Sequence, residues 1–429
     1  MRYLYNFFLY LIFPVVIIRL YYQSIRIPAY RSRIRERFGW ISDPNLKQPV
    51  IWIHAVSVGE VYAARPLIRQ IRKQYPRFTL LVTTMTPTGA RIVEQQLGAS
   101  VYHLFVPYDL PGAVKRFIYC IKPQLLIVME TEVWPNIFFY CKKNNIPVVL
   151  ANARLSEKSF RGYKYLSGFT GSVLSNVSLI IARSEADAGY FIRLGVNTAC
   201  IKVSGNLKFD MEFPENLKQK AENLRRELHL DRPVWIAAST HNNEENKILD
   251  AFKIIVGTFP DCLLIIAPRH PERADAIVDL ATASGFSVRR KSQNHRPSGK
   301  IQVYIVDTLG ELMLYYALAD LAFVGGSLVP IGGHNVLEPA GLGIPVITGP
   351  HNYNFLEICK LLEESGALWV VHDAVQLKNQ VNLLLADADL RQNAGKKGRK
   401  IVESNRGSAG RALHYLQEFL NNNATSGSI

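Results

Sequence analysis

The segment from Gly332 to Pro350 (GGHNVLEPAGLGIPVITGP) combines glycines with a histidine, an amide and a carboxylate, followed by a short apolar helix and a strand. Glycine lets a backbone approach a ligand closely at low steric cost. The start of a helix presents unpaired N–H groups that favour an anion. Asn335 and Glu338 also have the spacing of a helix cap and its partner, and this pair alone favours capping. The flanking glycines and His334 favour a pocket for a nucleotide sugar.

A second candidate site directly follows the first apolar strand, in the sequence HAVSVGE. Ser57 and Glu60 have the spacing of a capping box, which is a common structural pattern. Gly59 between them allows a ligand to approach, and a carboxylate here can accept a proton from an incoming hydroxyl group. The helix N-terminus favours the ionised carboxylate, whereas desolvation by a bound lipid raises its pKa. Capping and general-base catalysis both stay open for Glu60.

Charged residues follow other apolar strands as well. Glu130 and Glu132 come after QLLIVM, and their apolar neighbours make a purely solvated face a poor explanation. Lys208 lies in the loop-like GNLKFD segment, where it either neutralises an anionic group or lies on the surface. A basic cluster after PVVLA suits an anionic acceptor or, equally, a solvated face; it comprises Arg154, Lys158 and Arg161.

Two further segments have the composition of phosphate or nucleotide contacts. Pro268 and Arg269 end the CLLIIA strand, and a guanidinium at this position can make a bidentate contact with phosphate. Leu309, Gly310 and Glu311 lie in a loop that opens a helix, where backbone groups can contact a base or a phosphate.

The sequence lacks the motifs that are typical of several other kinds of site. The ten histidines are scattered, without HxH or HExxH, so we predict no metal site. No Walker loop, no GxGxxG after the first strand and no GxSxG elbow is present, and we predict no cofactor. The five cysteines are isolated and several lie in apolar runs, which indicates reduced thiols in the cytoplasm.

The charge balance predicts an anionic partner. Lys and Arg number 50 against 35 Asp and Glu, giving a formal net charge of +15. No nucleic-acid-binding motif appears, so phospholipid headgroups or a phosphorylated substrate are favoured over nucleic acid. The first residues form an apolar stretch followed by arginines, which predicts a membrane anchor with the rest of the chain on the cytoplasmic side. A spanning helix and an interfacial helix both fit this stretch.

Short apolar strands alternate with helical segments from Val50 onward and again from Val234 onward. This pattern predicts α/β architecture with parallel sheets covered by helices on both faces. Ligands of such sheets bind at the carboxyl ends of the strands. The predicted divisions are a membrane anchor (1–25), an N-terminal Rossmann-like domain (26–210), an interdomain linker with a helix (211–232), a C-terminal Rossmann-like domain (233–405), a C-terminal helix (406–421) and a disordered tail (422–429).

Taken in order, the motifs HAVSVGE, METEVWPN, NARLS, GNLKFD, APRHPER, DTLGEL and GGHNVLEPA, together with the N-terminal anchor, resemble the 3-deoxy-D-manno-octulosonate (Kdo) transferases of Gram-negative lipopolysaccharide assembly. The resemblance runs from end to end of the chain. It implies a GT-B glycosyltransferase with two Rossmann-like domains facing a central cleft. It also implies CMP-Kdo as donor and a lipid A precursor, lipid IVA, as acceptor at the cytoplasmic face of the inner membrane.

The resemblance also implies roles for individual residues. Glu60 matches the catalytic base, and Glu130 and Lys208 match positions that stabilise the transition state. The CMP-binding positions are Pro268, Arg269, Leu309, Gly310, Glu311, Asn335, Val336, Leu337 and Glu338. Transfer would proceed with inversion and without a divalent metal. The alternatives are a GT-B enzyme using another nucleotide sugar on a membrane lipid, a non-catalytic lipid-binding scaffold, and a nicotinamide-dependent dehydrogenase.

Overall fold

The computed structural model describes residues 1–42, 46–227, 231–293 and 301–422. It contains two α/β units of alternating strands and helices, as the sequence predicts. The first compact unit comprises Met1–Asp210 and the segment that begins at Asn405, and the second comprises Met211–Ser404. Each unit contains one seven-stranded sheet in which all pairings are parallel.

The sheet of the first unit has the strand order β3-β2-β1-β4-β5-β6-β7. Its strands are β1 (Val50–His54), β2 (Thr79–Thr84), β3 (Tyr102–Phe105), β4 (Leu125–Met129), β5 (Val148–Ala153), β6 (Leu179–Ala182) and β7 (Ile201–Val203). The helices before and between them are α1 (Arg2–Arg26), α2 (Val58–Gln74), α3 (Pro87–Leu97), α4 (Pro111–Ile121), α5 (Pro135–Lys143), α6 (Glu157–Tyr165), α7 (Ser167–Leu174) and α8 (Glu185–Arg193).

The sheet of the second unit has the order β10-β11-β9-β8-β12-β13-β14. Its strands are β8 (Val234–Thr240), β9 (Leu263–Pro268), β10 (Val288–Arg290), β11 (Val303–Ile305), β12 (Leu321–Val324), β13 (Val346–Thr348) and β14 (Leu368–Val370). Its helices are α9 (Leu217–Glu227), α10 (Glu244–Thr258), α11 (Ala274–Ala283), α12 (Leu312–Leu318), α13 (Leu337–Leu342), α14 (Leu356–Glu364), α15 (Ala374–Ala386) and α16 (Ala388–Ser404).

The central strands of both sheets are continuous apolar runs because helices cover both faces. In the first unit, α4 and α5 pack on one face of the sheet, around Trp52 and Phe117. Helices α2 and α3 pack on the other face, around Ile53 and Leu67. The edge strands β3 and β7 were not predicted from the sequence, because short strands with exposed side chains lack an apolar run.

The last helix, α17 (Ser408–Asn422), packs on α2 in the first unit rather than on the second unit that precedes it. Its apolar face, which includes Leu413, Leu416 and Leu420, is buried there. The Asp210 carboxylate accepts hydrogen bonds from the backbone N–H groups of Gly407, just before this helix, and of Ala409 in its first turn. The predicted disordered tail, 422–429, lies outside the described residues apart from its first residue, which ends α17.

The segment predicted as a linker, 211–232, contains α9, which packs on α12 and belongs to the second compact unit. The Arg225 guanidinium on this helix donates a hydrogen bond of 2.6 Å to the carbonyl of Leu318 at the end of α12. This contact and the packing of Ala221 attach the helix to the second sheet's outer layer.

Helix α1 is the one helix in the described part of the chain that is long and apolar enough to cross a membrane. One of its faces contacts the first unit. The Tyr5 hydroxyl donates a hydrogen bond of 2.9 Å to Asp109, and the Asn136 amide donates one of 2.7 Å to Asn6. Leu20 is buried nearer the helix end. The opposite face is apolar and exposed along its length; it includes Tyr3, Leu4, Phe7, Leu11, Val15, Ile18, Tyr22 and Ile25.

Candidate active site

The carboxyl ends of neighbouring strands bring five charged side chains to one edge of the first sheet. Glu60 follows β1, Glu130 follows β4, Arg154 follows β5, Arg183 follows β6 and Lys208 follows β7. These strands are adjacent in the sheet, so their loops emerge side by side. This is the edge where parallel α/β sheets bind ligands.

Glu60 is buried in the first turn of α2, with 6% of its surface exposed. One carboxylate oxygen accepts a 2.7 Å hydrogen bond from the backbone N–H of Val56, and the other accepts a 2.9 Å bond from the Ser57 hydroxyl. The Ser57 hydroxyl in turn accepts a bond from the backbone N–H of Glu60. Ser57 is therefore the helix cap, as its spacing predicts, although the Glu60 carboxylate bonds to the N–H of Val56 instead of that of Ser57. These bonds fix the position of the carboxylate.

The pKa of Glu60 is raised from its ordinary value of 4.5 to about 7. Burial is the largest cause, and the nearby Glu130 and Glu132 carboxylates raise it further, whereas the hydrogen bonds from Val56 and Ser57 lower it. A pKa near neutral pH is the value that a general base needs, because the group is then both available and basic. Capping and proton transfer are compatible roles for this one side chain.

Glu130 forms ion pairs with two cations. Its carboxylate lies 2.7 Å from the Arg154 guanidinium and 3.8 Å from the Lys208 ammonium. The Glu130 backbone has a φ of 55°, a left-handed conformation that is uncommon for a residue with a Cβ. Its N–H still donates to the carbonyl of Ala151 in the neighbouring strand, which holds the residue in this position.

Lys208 is positioned by asparagine side chains. The Asn206 amide oxygen accepts a 3.1 Å hydrogen bond from the Lys208 backbone N–H, and the buried Asn152 accepts a 3.0 Å bond from Leu207. Burial lowers the pKa of Lys208, as do the positive charges of Arg154 and Arg183, while Glu130 raises it. The ammonium group is therefore confined beside Glu130 rather than lying free on the surface.

Glu130 and Glu132, which the sequence could not distinguish, have different surroundings. Glu130 forms the two ion pairs described above, and no ion pair of Glu132 is present in the described part of the chain. Burial raises the pKa of Glu132, and the Glu130 charge adds to this effect. Glu130 is thus the carboxylate that orders the cations at this edge.

In the second unit, the carboxyl edge collects the predicted donor-binding residues. Pro268 ends β9, and the backbone N–H of Arg269 donates a 3.0 Å hydrogen bond to the carbonyl of Thr240 at the end of the adjacent β8. The side chains of His241 and His334 meet beside them, with their Nε2 atoms 2.8 Å apart. One ring donates and the other accepts, which requires at least one of the two facing nitrogens to be unprotonated.

Burial lowers the pKa of both histidines, that of His334 to about 3. The positive charge of Arg269 lowers both values further. Both imidazoles are therefore neutral at pH 7, and the fixed positive charge at this place comes from Arg269. A phosphate group bound here would meet one guanidinium and two neutral hydrogen-bonding rings.

The loop after β12 is held by a buried carboxylate. Glu244, at the start of α10, accepts hydrogen bonds of 2.7 to 3.0 Å from the backbone N–H groups of His241, Gly326, Ser327 and Leu328. Gly326 has a φ of 68°, and a Cβ there would lie 2.9 Å from the His334 ring. Glycine is required because the loop turns against the histidine pair.

Asn335 and Glu338 bond to each other. The Asn335 amide donates a 3.0 Å hydrogen bond to Glu338, and its oxygen accepts one of 3.1 Å from the backbone N–H of Leu337. Helix α13 begins at Leu337 and has six residues, so Val336 is its cap residue. Asn335 lies one position earlier and is not the cap. Val336 and Leu337 are almost completely buried, so they hold the segment between Asn335 and Glu338 in place and present no side chain on the surface.

The third predicted donor-binding segment follows β11, which lies next to β9 in the sheet. Leu309 is 71% exposed and Gly310 has a φ of 91°. Glu311 accepts a hydrogen bond from the Thr308 hydroxyl and lies 3.7 Å from the Lys291 ammonium. An exposed apolar side chain beside a glycine suits a flat, partly apolar group such as a nucleobase.

Sequence reasoning missed four residues that complete these sites: Asn152, Arg183, His241 and Glu244. Arg183 and His241 follow strands directly, so their position at strand ends was a usable signal. Asn152 and Glu244 act through backbone groups that are distant in sequence, and no local pattern reveals them. In the described parts of the chain, no group of three or more His, Cys, Asp or Glu side chains is placed to hold a metal ion.

Solved structures of nucleotide-sugar enzymes share this architecture. The UDP-GlcNAc 2-epimerase of Neisseria meningitidis, bound to UDP-GlcNAc, matches 86% of this chain and 99% of its own, with a TM-score of 0.56 and 14% identity. A glycosyltransferase of Rickettsia africae matches 87% of this chain and 98% of its own, with a TM-score of 0.56 and 13% identity. At these identities the likeness shows the fold alone. Residues 240–401 also match the family described as glycosyl transferases group 1. The fold and its two strand-edge sites define a GT-B glycosyltransferase.

The particular family follows from sequence matches over both units. Residues 32–211 match the family described as 3-deoxy-D-manno-octulosonic-acid transferase (kdotransferase). A 3-deoxy-D-manno-octulosonic acid transferase of Haemophilus influenzae is 41% identical over 98% of this chain and 99% of its own length. The protein of that name from Bordetella pertussis is 32% identical over 86% of this chain and 87% of its own. The chain belongs to the Kdo transferase family of lipopolysaccharide biosynthesis.

Proposed function

We propose that this protein transfers Kdo from CMP-Kdo to a lipid A precursor, lipid IVA, with inversion at the anomeric carbon. The observation that carries the proposal is the buried Glu60 carboxylate with a pKa near 7, held at the strand edge beside the Glu130 and Lys208 pair. Membership of the Kdo transferase family supports the choice of sugar.

Glu60 acts as the general base. It takes the proton of the acceptor hydroxyl while that oxygen attacks the anomeric carbon of Kdo. The bond from this carbon to the CMP phosphate breaks, and CMP leaves with the bonding electrons. Hydrogen bonds from Val56 and Ser57 orient the Glu60 carboxylate and prevent it from rotating away. Such a positioned base contributes about 10² to 10⁴ in rate.

Lys208 stabilises negative charge that develops during transfer, and Glu130 orients Lys208. The ammonium is confined by burial and by the backbone contacts of Asn206 and Asn152, so little reorganisation is needed when the charge forms. Kdo is an acidic sugar, and the half-exposed Arg154 guanidinium at the same edge adds positive charge that suits its carboxylate. Arg183 is already paired with Asp187.

The second unit binds the CMP part of the donor. Arg269 contacts the phosphate, because it carries the fixed charge beside the neutral histidine pair. Pro268 holds the preceding strand end, and the segments 309–311 and 335–338 contact the cytidine and its ribose. The bonded pair of Asn335 and Glu338 offers acceptors to ribose hydroxyl groups. No step requires a metal ion, since Arg269 and backbone N–H groups neutralise the phosphate.

The acceptor is drawn from the cytoplasmic face of the inner membrane, and we propose that α1 lies in the plane of this surface. Its contacts through Tyr5, Asn6 and Leu20 attach one face along its length, and they leave an apolar face for the headgroup and acyl boundary. A spanning orientation would have to break these contacts. Asp109 and Asn136, which contact the start of α1, lie at the carboxyl edge of the first sheet. The exposed apolar face of α1 therefore begins near the edge of the sheet that carries Glu60.

Incubation with CMP-Kdo and lipid IVA, followed by mass spectrometry of the lipid, tests the activity and counts the sugars added. We expect a mass increase of one or more Kdo units, and none when CMP-Kdo is replaced by UDP- or GDP-sugars. Transfer from UDP-sugars alone would overturn the donor assignment. An in-plane α1 keeps Met1 on the cytoplasmic side, so a cysteine placed there should resist periplasmic maleimide labelling in intact cells.

A further inference from the structure

A pocket of about 780 Å³ opens on the first unit between α4 and α5. It is lined by the C-terminal parts of these helices and by the segments that lead into β4 and β5. These segments lie at the amino ends of the strands, the opposite edge of the sheet from Glu60 and Glu130. The pocket is therefore separate from the candidate active site.

The pocket is strongly cationic. Four of its ten lining residues are basic, Lys115, Arg116, Lys122 and Lys143, and none is acidic. Within the described ranges, the three lysines form no ion pair with a carboxylate, and all three are exposed. Its inner wall is apolar and includes the buried Ile118 and Ile146. Charged groups above an apolar wall suit an anionic amphipathic ligand.

Two chains of contact connect this pocket to α1. The Tyr140 ring lies 5.3 Å from the Lys115 ammonium on the pocket side and 5.8 Å from the Arg2 guanidinium on α1. Arg116 donates hydrogen bonds to the carbonyl of Phe38, whose ring contacts Phe13 of α1. The pocket is thus linked to α1 through the side chains of Tyr140 and Phe38.

An exposed tryptophan contacts Arg116, one of the residues that line the pocket. Trp40 is 61% exposed, and the Arg116 guanidinium lies 4.5 Å from its ring centre. Tyr119, which lines the pocket, is 81% exposed. Tryptophan, tyrosine, lysine and arginine are the residues that soluble proteins and membrane anchors place at the headgroup layer of a bilayer.

We propose that this pocket binds the phosphate headgroup of an anionic glycerophospholipid in the same membrane that α1 contacts. The lysines neutralise the phosphate, and the apolar wall contacts the glycerol and the first acyl carbons. This site gives the first unit a second attachment to the bilayer and so fixes its rotation about the axis of α1. It is independent of transferase chemistry, so lipid binding can be measured whether or not Kdo transfer is found.

The test is vesicle flotation of the full-length protein, with phosphatidylcholine vesicles that contain or lack 30% phosphatidylglycerol. The pocket variant combines Lys115→Gln, Lys122→Gln and Lys143→Gln. The control variant combines Lys396→Gln, Lys397→Gln and Lys400→Gln, which removes the same charge from exposed positions on α16 in the second unit. The readout is the ratio of partition coefficients with and without phosphatidylglycerol, since α1 contributes to both.

Each lysine close to an anionic surface contributes a factor of about five, so the pocket variant should lower this ratio about 100-fold. The control variant should lower it less than about threefold. The proposal is overturned if the two variants lose the same amount, because binding then follows net charge, or if the pocket variant keeps the wild-type ratio. Should the triple variant melt earlier than wild type, each single substitution serves instead, with an expected loss of about fivefold.

Discussion

Replacement of Glu60 by glutamine removes the base and keeps its shape. We expect Glu60→Gln to lower kcat by about 10² to 10⁴ while the KM for CMP-Kdo stays within about threefold of wild type. The amide oxygen still accepts the hydrogen bond from Val56, and the Ser57 hydroxyl can rotate to accept one from the new amide nitrogen. The Ser57 hydroxyl then no longer donates a hydrogen bond to residue 60, and this poorer pairing costs about 1 kcal/mol of stability.

The same variant makes a second measurement informative, because the pKa of Glu60 links its charge to folding. The folded-state pKa of about 7 lies above the ordinary 4.5, so the fold favours the protonated carboxyl. The stability from this group is fully present below pH 4.5 and is lost as the pH rises through 7. Ionisation in the folded state therefore costs about 3 kcal/mol by pH 8 and above. The glutamine variant does not bear this cost.

Denaturant unfolding of both proteins at pH 5 and at pH 8.5 measures this difference. We expect Glu60→Gln to have nearly the stability of wild type at pH 5, where the unfolded wild type is already largely ionised, and to be more stable by about 2 kcal/mol at pH 8.5. In the transfer assay, the wild-type rate should rise tenfold per pH unit below pH 7 and level off above it. A glutamine variant that retains more than a tenth of wild-type transfer would refute the assignment of the base, and an unchanged stability difference across pH would refute the burial argument.

Three further substitutions test the rest of the site. Lys208→Met should lower kcat about 100-fold with little change in melting temperature, and Lys208→Arg should restore part of the activity; equal activity of Lys208→Met and wild type would exclude the ammonium from transfer. Arg269→Lys should raise the KM for CMP-Kdo about tenfold through loss of the bidentate contact, whereas a change in kcat alone would place Arg269 elsewhere in the mechanism. Gly326→Ala should lower the free energy of unfolding by about 1 to 3 kcal/mol, because a Cβ would lie 2.9 Å from the His334 ring, and should raise the same KM. An alanine variant with wild-type stability would show that the loop tolerates displacement of His334.

The alternation of strands and helices was readable from the sequence because central parallel strands must be apolar on both faces. VIWIH and LLIVM are continuous apolar runs, and they form β1 and β4 at the centre of the first sheet. The edge strands β3 and β7 lack this signal, since one side of an edge strand meets solvent. The docking of α17 on α2 is also invisible locally, because its partner lies more than 330 residues earlier.

In the candidate site, too, some features were visible in the sequence and others depended on the tertiary structure. The residue types at strand ends were visible in the sequence, and so was the helix cap at Ser57 with Glu60 three residues later. That Glu130, rather than Glu132, pairs with Arg154 and Lys208 depended on the tertiary structure, which brings three strand ends together. The orientation of α1 was equally open in the sequence, and its contact with Asp109 decides which face is left apolar and exposed.

By itself, then, the sequence determined which residues are available for chemistry and which strands carry them. Only the tertiary structure decided the charge state of Glu60, the partner of Lys208 and the contact face of α1. The physical reason is that burial and pairing depend on neighbours from distant parts of the chain. A pKa near 7 arises from the desolvation of a carboxylate by packed elements and from a second carboxylate 70 residues away, and neither is encoded in the seven residues around it.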